Sequence, residues 1–119
     1  MTDTLWPTSL RVDSERTTLT VEFDNGQSYS LPAEYLRVES PSAEVQGHVA
    51  AQKTFVAGKR RVKIDKLEPV GNYAVRIRFD DDHDTGLYSW DYLHELGHDR
   101  ERKWSEYLAG LRRTGGKRE

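Results

Sequence analysis

An α+β fold, with a small, mostly antiparallel β-sheet built from hairpins, one short helix and two C-terminal helices, follows from three observations on the sequence. Apolar residues alternate with polar ones at Thr17–Phe23 and again at Tyr73–Phe79, the period of a half-buried strand. The pairs Asn25-Gly26 and Gly71-Asn72 stand beside those runs as turn signals. Helical spacing is sustained only after Ser89. At 119 residues the chain has the length of one domain, expected over residues 5–113 with 114–119 as a flexible tail.

In order, Ser9–Val12 and Thr17–Phe23 read as strands with Leu10, Val12, Leu19, Val21 and Phe23 on one face. Asn25-Gly26 predicts a type I′ turn and a returning arm over Gln27–Leu31, with Tyr29 and Leu31 facing inward. Pro32 suits the first turn of a short helix reaching about Arg37. Between Glu39 and Gly58 the periodicity fails over roughly twenty residues, a length at which loops are usually functional or mobile. Pattern resumes at Arg61, with a bulge expected near Asp65-Lys66 and an edge position for Pro69. The next strand places Tyr73, Val75, Ile77 and Phe79 on its inner face. An acidic loop, Asp80–Gly86, and a brief strand at Leu87-Tyr88 follow. Ser89 is a natural cap for a helix stopped by Gly97; Asp99 would cap a second, with Trp104, Tyr107, Leu108 and Leu111 on one stripe.

Composition excludes several classes. There is no cysteine, so disulfides, thiolate catalysis and Cys-ligated zinc or iron–sulfur sites built from this chain are ruled out. A net charge of −2 gives no global field for nucleic acid or an anionic membrane. The first residues lack a basic region followed by an apolar one, and no apolar run is long enough to span a bilayer; a cytoplasmic protein is the expectation.

His94-Glu95-Leu96-Gly97-His98 spells H-E-x-x-H, which on a continuous helix places two imidazoles one turn apart around a general-base carboxylate. A helix stop at Gly97 and a new cap at Asp99 would deny the two histidines a common face. The segment Asp99–Trp104 also lacks the extension that carries a third histidine in one class of metalloprotease. Two surface histidines near a helix end are the simpler reading.

Two other stretches carry polar residues in irregular context: Ser40-Pro41-Ser42-Ala43-Glu44-Val45-Gln46-Gly47-His48 and Asp81-Asp82-His83-Asp84-Thr85-Gly86. Taken with Leu36-Arg37, Gly71-Asn72-Tyr73-Ala74 and Ser89-Trp90, they make the chain resemble the gamma-butyrobetaine hydroxylase-like N-terminal domain family from about Leu5 to Leu111. That family, formerly a domain of unknown function, includes small standalone bacterial proteins. It also stands ahead of the oxygenase domain in the hydroxylases and beside some P-loop ATPases of the iron–sulfur carrier type. In the hydroxylases the domain holds a structural zinc with three cysteines and one histidine; the resemblance aligns these with Ser40, Ser42, Val45 and His83. A hydroxyl is a poor zinc ligand and valine is none, so that site cannot be carried over. Hydroxylase activity is not implied either, because the oxygenase domain is missing from this chain.

What the residues leave is a replacement site for one iron or zinc ion, with His83 and His48 as imidazole donors and Glu44, Asp81, Asp82 or Asp84 as carboxylates. Beside it stands a purely structural reading: the serines bracket a turn at Pro41, Glu44 caps backbone N–H groups, and His83 ties the loops together. A basic run, Lys59-Arg60-Arg61-Val62-Lys63 with Lys66, offers a surface for nucleic acid or an acidic partner. It lacks interleaved aromatics for stacking on bases, and a solvated strand edge explains it as well. The leading expectation is a non-catalytic accessory or adaptor domain that binds a protein partner through Ser40–His48 and Asp80–Gly86. The resemblance points to an iron–sulfur assembly factor or an oxygenase-like protein as that partner. The rival is a metal-dependent enzyme using the two-loop site or the H-E-x-x-H stretch.

Overall fold

A computed structural model describes residues 5–46 and 53–119. The elements run β1 (Pro7–Val12), β2 (Thr18–Phe23), β3 (Ser28–Pro32), α1 (Ala33–Val38), α2 (Ala43–Gln46), β4 (Ile64–Val70), β5 (Ala74–Phe79), β6 (Leu87–Ser89), α3 (Trp90–His98) and α4 (Arg100–Arg113). The fold is α+β as expected, with the strands divided between two antiparallel three-stranded sheets, β1-β2-β3 and β4-β5-β6.

In the first sheet Leu10 and Val12 of β1 face Val21 and Leu19 of β2, and Leu31 of β3 faces Leu19 from the other side. The β2–β3 hairpin forms, but its turn is not type I′. Only Gly26 has positive φ (89°), Asn25 does not, and the Gly26 N–H donates to the Phe23 carbonyl at 3.1 Å. One left-handed glycine in the connection, beyond which the Phe23 N–H donates to the Gln27 carbonyl at 2.8 Å, fits a bulged hairpin. In the β1–β2 connection Arg16 holds a φ of 62°, unusual for a side chain of its size. Its carbonyl accepts the Ile64 N–H at 2.8 Å, and its guanidinium donates to the Ile64 and Asp65 carbonyls at 3.2 and 2.9 Å. The left-handed residue thus stitches the first sheet to β4.

In the second sheet the bulge lies between Ile64 and Lys66, and Pro69 sits on the edge strand β4, both as expected. Tyr73 does not face inward: it is 57% exposed, because β5 begins only at Ala74 and Tyr73 belongs to the turn. Its carbonyl accepts the Trp90 N–H, so the backbone there serves α3 rather than the strand ladder.

Both sheets, α1 and α3 share one core, including Leu19, Val21, Phe23, Leu31, Ile64, Val75, Ile77, Phe79, Leu93 and Leu96. Ser89 caps α3, its Oγ accepting the Tyr92 N–H at 3.1 Å. Gly97 does not stop that helix, which continues through His98. The glycine is needed sideways, since a Cβ there would lie 2.3 Å from the Tyr29 ring. Asp99 precedes α4 but makes no side-chain cap; its carboxylate is taken by His98 and Arg102. A second, smaller core joins Val38, Tyr107 and Leu111 with Phe55, Val56, Trp104 and Leu108. Residues 114–119, expected to be a flexible tail, are tied down: Gly58 and Arg60 donate N–H groups to the Lys117 and Arg118 carbonyls at 2.8 and 2.9 Å, and Arg118 forks onto buried Glu34 at 2.7 and 2.9 Å. Among the described residues no helix is long and apolar enough to cross a membrane.

Candidate functional site

The two polar loops meet beside the end of α1. After Val38 the chain bends, with the Ser40 N–H donating to the Arg37 carbonyl at 3.3 Å. The Ser42 carbonyl accepts the N–H groups of Val45 and Gln46, so the stretch expected to be irregular contains the single turn of α2. Opposite it, Asp82 adopts a φ of 69°, a conformation that aspartate tolerates. The Asp82 N–H then donates to the Phe79 carbonyl at 3.1 Å and the Phe79 N–H to the His83 carbonyl at 3.0 Å. This tight turn sends the His83 ring back into the protein.

There His83 Nε2 lies 2.9 Å from Ser40 Oγ and 3.3 Å from Ser42 Oγ, and the serine hydroxyls bond each other at 3.2 Å. Ser40 is fully buried and His83 is 6% exposed. Gly86 forms the wall, where a Cβ would come within 2.6 Å of Ser40 Oγ. Around this centre runs a shell of charge. Asp81 accepts from Arg37 Nε at 2.9 Å, Lys59 Nζ at 2.6 Å and the His83 N–H at 3.1 Å. Burial works against its charge, yet the donors from Lys59, His83 and Arg37 outweigh it and hold the carboxyl down at about 2. Glu39, 1% exposed, accepts Lys53 Nζ at 2.9 Å, and its carbonyl accepts the Tyr92 hydroxyl at 2.5 Å. Burial, the first cause, and the nearby Glu39 carboxylate push the Tyr92 phenol well above its ordinary value. The Tyr88 phenol, also raised by burial, donates to the Leu36 carbonyl at 2.6 Å. Glu39 Oε2 and Arg37 Nη1 are buried without a hydrogen-bond partner among the described residues.

The expected site residues therefore separate. Ser40, Ser42 and His83 converge, with Gly86 against them and Pro41 half-buried alongside. Asp81 joins through the His83 backbone while its carboxylate serves Arg37 and Lys59. Asp82, Asp84 and Thr85 are exposed. His48 and the side chain of Glu44 lie outside the described residues. Among the described residues no three His, Cys, Asp or Glu side chains gather to hold a metal ion. Ser40, Ser42, Val45 and His83 do not fit the zinc that the family resemblance implies at their positions: two neutral hydroxyls lie against His83 Nε2, and valine offers no donor. A serine and a histidine in contact have the parts of a nucleophile and its base, but Ser40 Oγ is closed off from any substrate.

At the H-E-x-x-H stretch the helix runs unbroken through His98, so the histidines do share a face, contrary to expectation; their rings stack at 6.1 Å. His94 Nε2 lies 2.8 Å from Gln27 Oε1, and its ring meets Phe23 and Tyr29 edge-on. His98 Nδ1 lies 3.0 Å from Asp99 Oδ1. The partners missed in the sequence are Arg37, Glu39, Lys53, Lys59 and Tyr92. Arg37 is drawn in because every residue of α1 is buried, charged ones included, while Glu39, Lys53, Lys59 and Tyr92 reach the cluster from other segments, which no periodicity signals.

Compared with known proteins, residues 10–94 match the family model described as gamma-butyrobetaine hydroxylase-like, N-terminal. A protein solved in solution by NMR is similar at 42% identity and a TM-score of 0.83, over 98% of this chain and 92% of that one. Another NMR structure is 46% identical with a TM-score of 0.83, over 98% of this chain and 87% of the other. A crystal structure from Acidithiobacillus ferrooxidans, described as a protein of unknown function in the DUF971 family, is 34% identical with a TM-score of 0.63, over 76% of this chain and 91% of that one. No curated protein matches the chain.

Proposed function

The chain belongs to the gamma-butyrobetaine hydroxylase-like, N-terminal family, and from that premise we propose that it acts as a non-catalytic accessory or adaptor domain whose task is to bind a protein partner. The observation that carries this reading is the state of the polar loops. Their hydroxyls and imidazole are buried and turned on one another, so they brace the fold where hydroxylase relatives are expected to use a metal staple. No reacting atom there is open to a substrate. An association with iron or iron–sulfur proteins rests on the company that relatives keep, and belongs to this proposal as analogy.

Metal analysis of the untagged chain, repeated on His83→Ala and His94→Ala, separates this reading from the metal-dependent one. The expected result is no stoichiometric metal in any of the three. Stoichiometric metal lost only in His83→Ala would replace the proposal with a metal site at the loops. Loss only in His94→Ala, together with peptide hydrolysis by the wild type, would revive the hydrolase.

A further inference from the structure

Two of the three large apolar side chains exposed among the described residues, Trp6 at 43% and Tyr73 at 57%, line the same cleft. Trp90, Asn72, Ser89 and Asp91 complete it, enclosing about 250 Å³. Exposed aromatics scattered singly need no explanation, but two lining one cleft with a third, buried indole are the composition of a recognition surface.

The three aromatic residues come from different parts of the fold. Trp6 immediately precedes β1, its N–H 3.4 Å from Asp24 Oδ1 and its carbonyl accepting the Asp24 N–H at 2.9 Å. Tyr73 rides on the β4–β5 turn, its ring so close over Gly71 that a Cβ there would lie 2.9 Å from it. Trp90 opens α3 and donates its indole N–H to the Asn72 carbonyl at 2.9 Å. The Trp90 indole is thus fixed before anything binds, which removes part of the ordering cost of binding.

The charge at the cleft has one sign. Asp91 is in the lining, Asp24 supports Trp6, and neither has an ion pair among the described residues; the lining contains no basic residue. Aromatic faces with carboxylates attract a cation, and a guanidinium suits them best, since its plane stacks on a ring while its fork meets a carboxylate. The volume falls below that of pockets which enclose a whole small molecule, roughly 300–1,000 Å³, and suits one inserted side chain. We propose that the Trp6–Tyr73–Trp90–Asp91 cleft is the docking site for an arginine side chain of a partner polypeptide. This rests on the adaptor reading and moves its contact surface from the buried loops to the cleft at the start of α3.

The test is a titration of the isotope-labelled full chain with a capped Gly-Arg-Gly peptide, following the indole N–H signals of Trp6 and Trp90. Expected are saturable shifts confined to the cleft, weakened roughly three- to tenfold by Trp6→Ala or Asp91→Asn. The citrulline counterpart, planar but uncharged, should bind at least several-fold more weakly. Equal binding of the two peptides, shifts spread over acidic residues elsewhere, or no saturable shift would each overturn the proposal. Self-association of the wild type that Trp6→Ala abolishes would overturn it in favour of a second copy of the chain. Cross-linking to a discrete partner in cells keeps the two readings apart. A partner retained by Trp6→Ala sinks the cleft and leaves the adaptor standing; recovery of none, with no peptide binding, sinks both.

Discussion

The two loops around His83 and the cleft around Trp90 invert the usual placement of side chains. In the first, two serines, a histidine and the Glu39 carboxylate have gone inside; in the second, an indole and a phenol remain outside. Burying polar groups costs free energy unless they are paired. The inner cluster meets that condition largely through its own members and through Lys53, Lys59 and Arg37. The cleft has no such internal resolution, because its apolar faces stay in water. The contrast teaches that the polar cluster serves the fold and that the apolar cleft is where contact with another molecule would gain most.

Substitutions can break or sharpen this contrast. The largest effect should come from His83→Ala, which leaves the Ser40 and Ser42 hydroxyls facing a void; a loss of about 2–4 kcal/mol is expected in urea unfolding. A loss near zero would mean that the cluster is not structural. Next comes acid. Because the Asp81 carboxyl is held down at about 2 in the folded state, its contribution is present above the ordinary carboxylate range and fades as the pH falls from about 4 towards 2, worth about 1–2 kcal/mol after allowing for its partial exposure. Asp81→Asn should flatten that part of a stability–pH profile while lowering stability at neutral pH. The smallest effect belongs to the cleft: Trp6→Ala and Tyr73→Ala should each change stability by about 0.5 kcal/mol or less, measured by the same unfolding. A cost as large as that of His83→Ala would make the exposed rings structural and remove the contrast.

Much of the framework was legible because it follows local rules. Leu19, Val21 and Phe23, and again Val75, Ile77 and Phe79, alternate because each strand has one buried face, and the Asp65 bulge and the Ser89 cap announce themselves in the same way. What misled were residues whose role is set from across the fold. Gly97 has the look of a helix stop but is a glycine because Tyr29 rests on it. Tyr73 continues an alternating pattern yet falls in the turn. Asp99 looks like a cap and instead serves Arg102 and His98. The loop cluster was half legible: His83 was recognisable as the residue joining the two loops, but its burial with Ser40 and Ser42 depends on the Asp82 turn and on cations recruited from Lys53 and Lys59.

The contact between Ser40 and His83 also leads to an expectation about the order of folding. It joins positions 43 residues apart, and such long-range closures form late because the intervening chain must first be gathered by local hairpins. On that ordering the β2–β3 and β4–β5 hairpins are expected to be in place at the rate-limiting step, with the serine–histidine contact closing behind it. Weakening the contact should then hasten unfolding while leaving the folding rate almost unchanged, a signature readable on the two limbs of a chevron plot. The cluster would act as a clasp that governs how long the folded state lasts rather than how quickly it is reached.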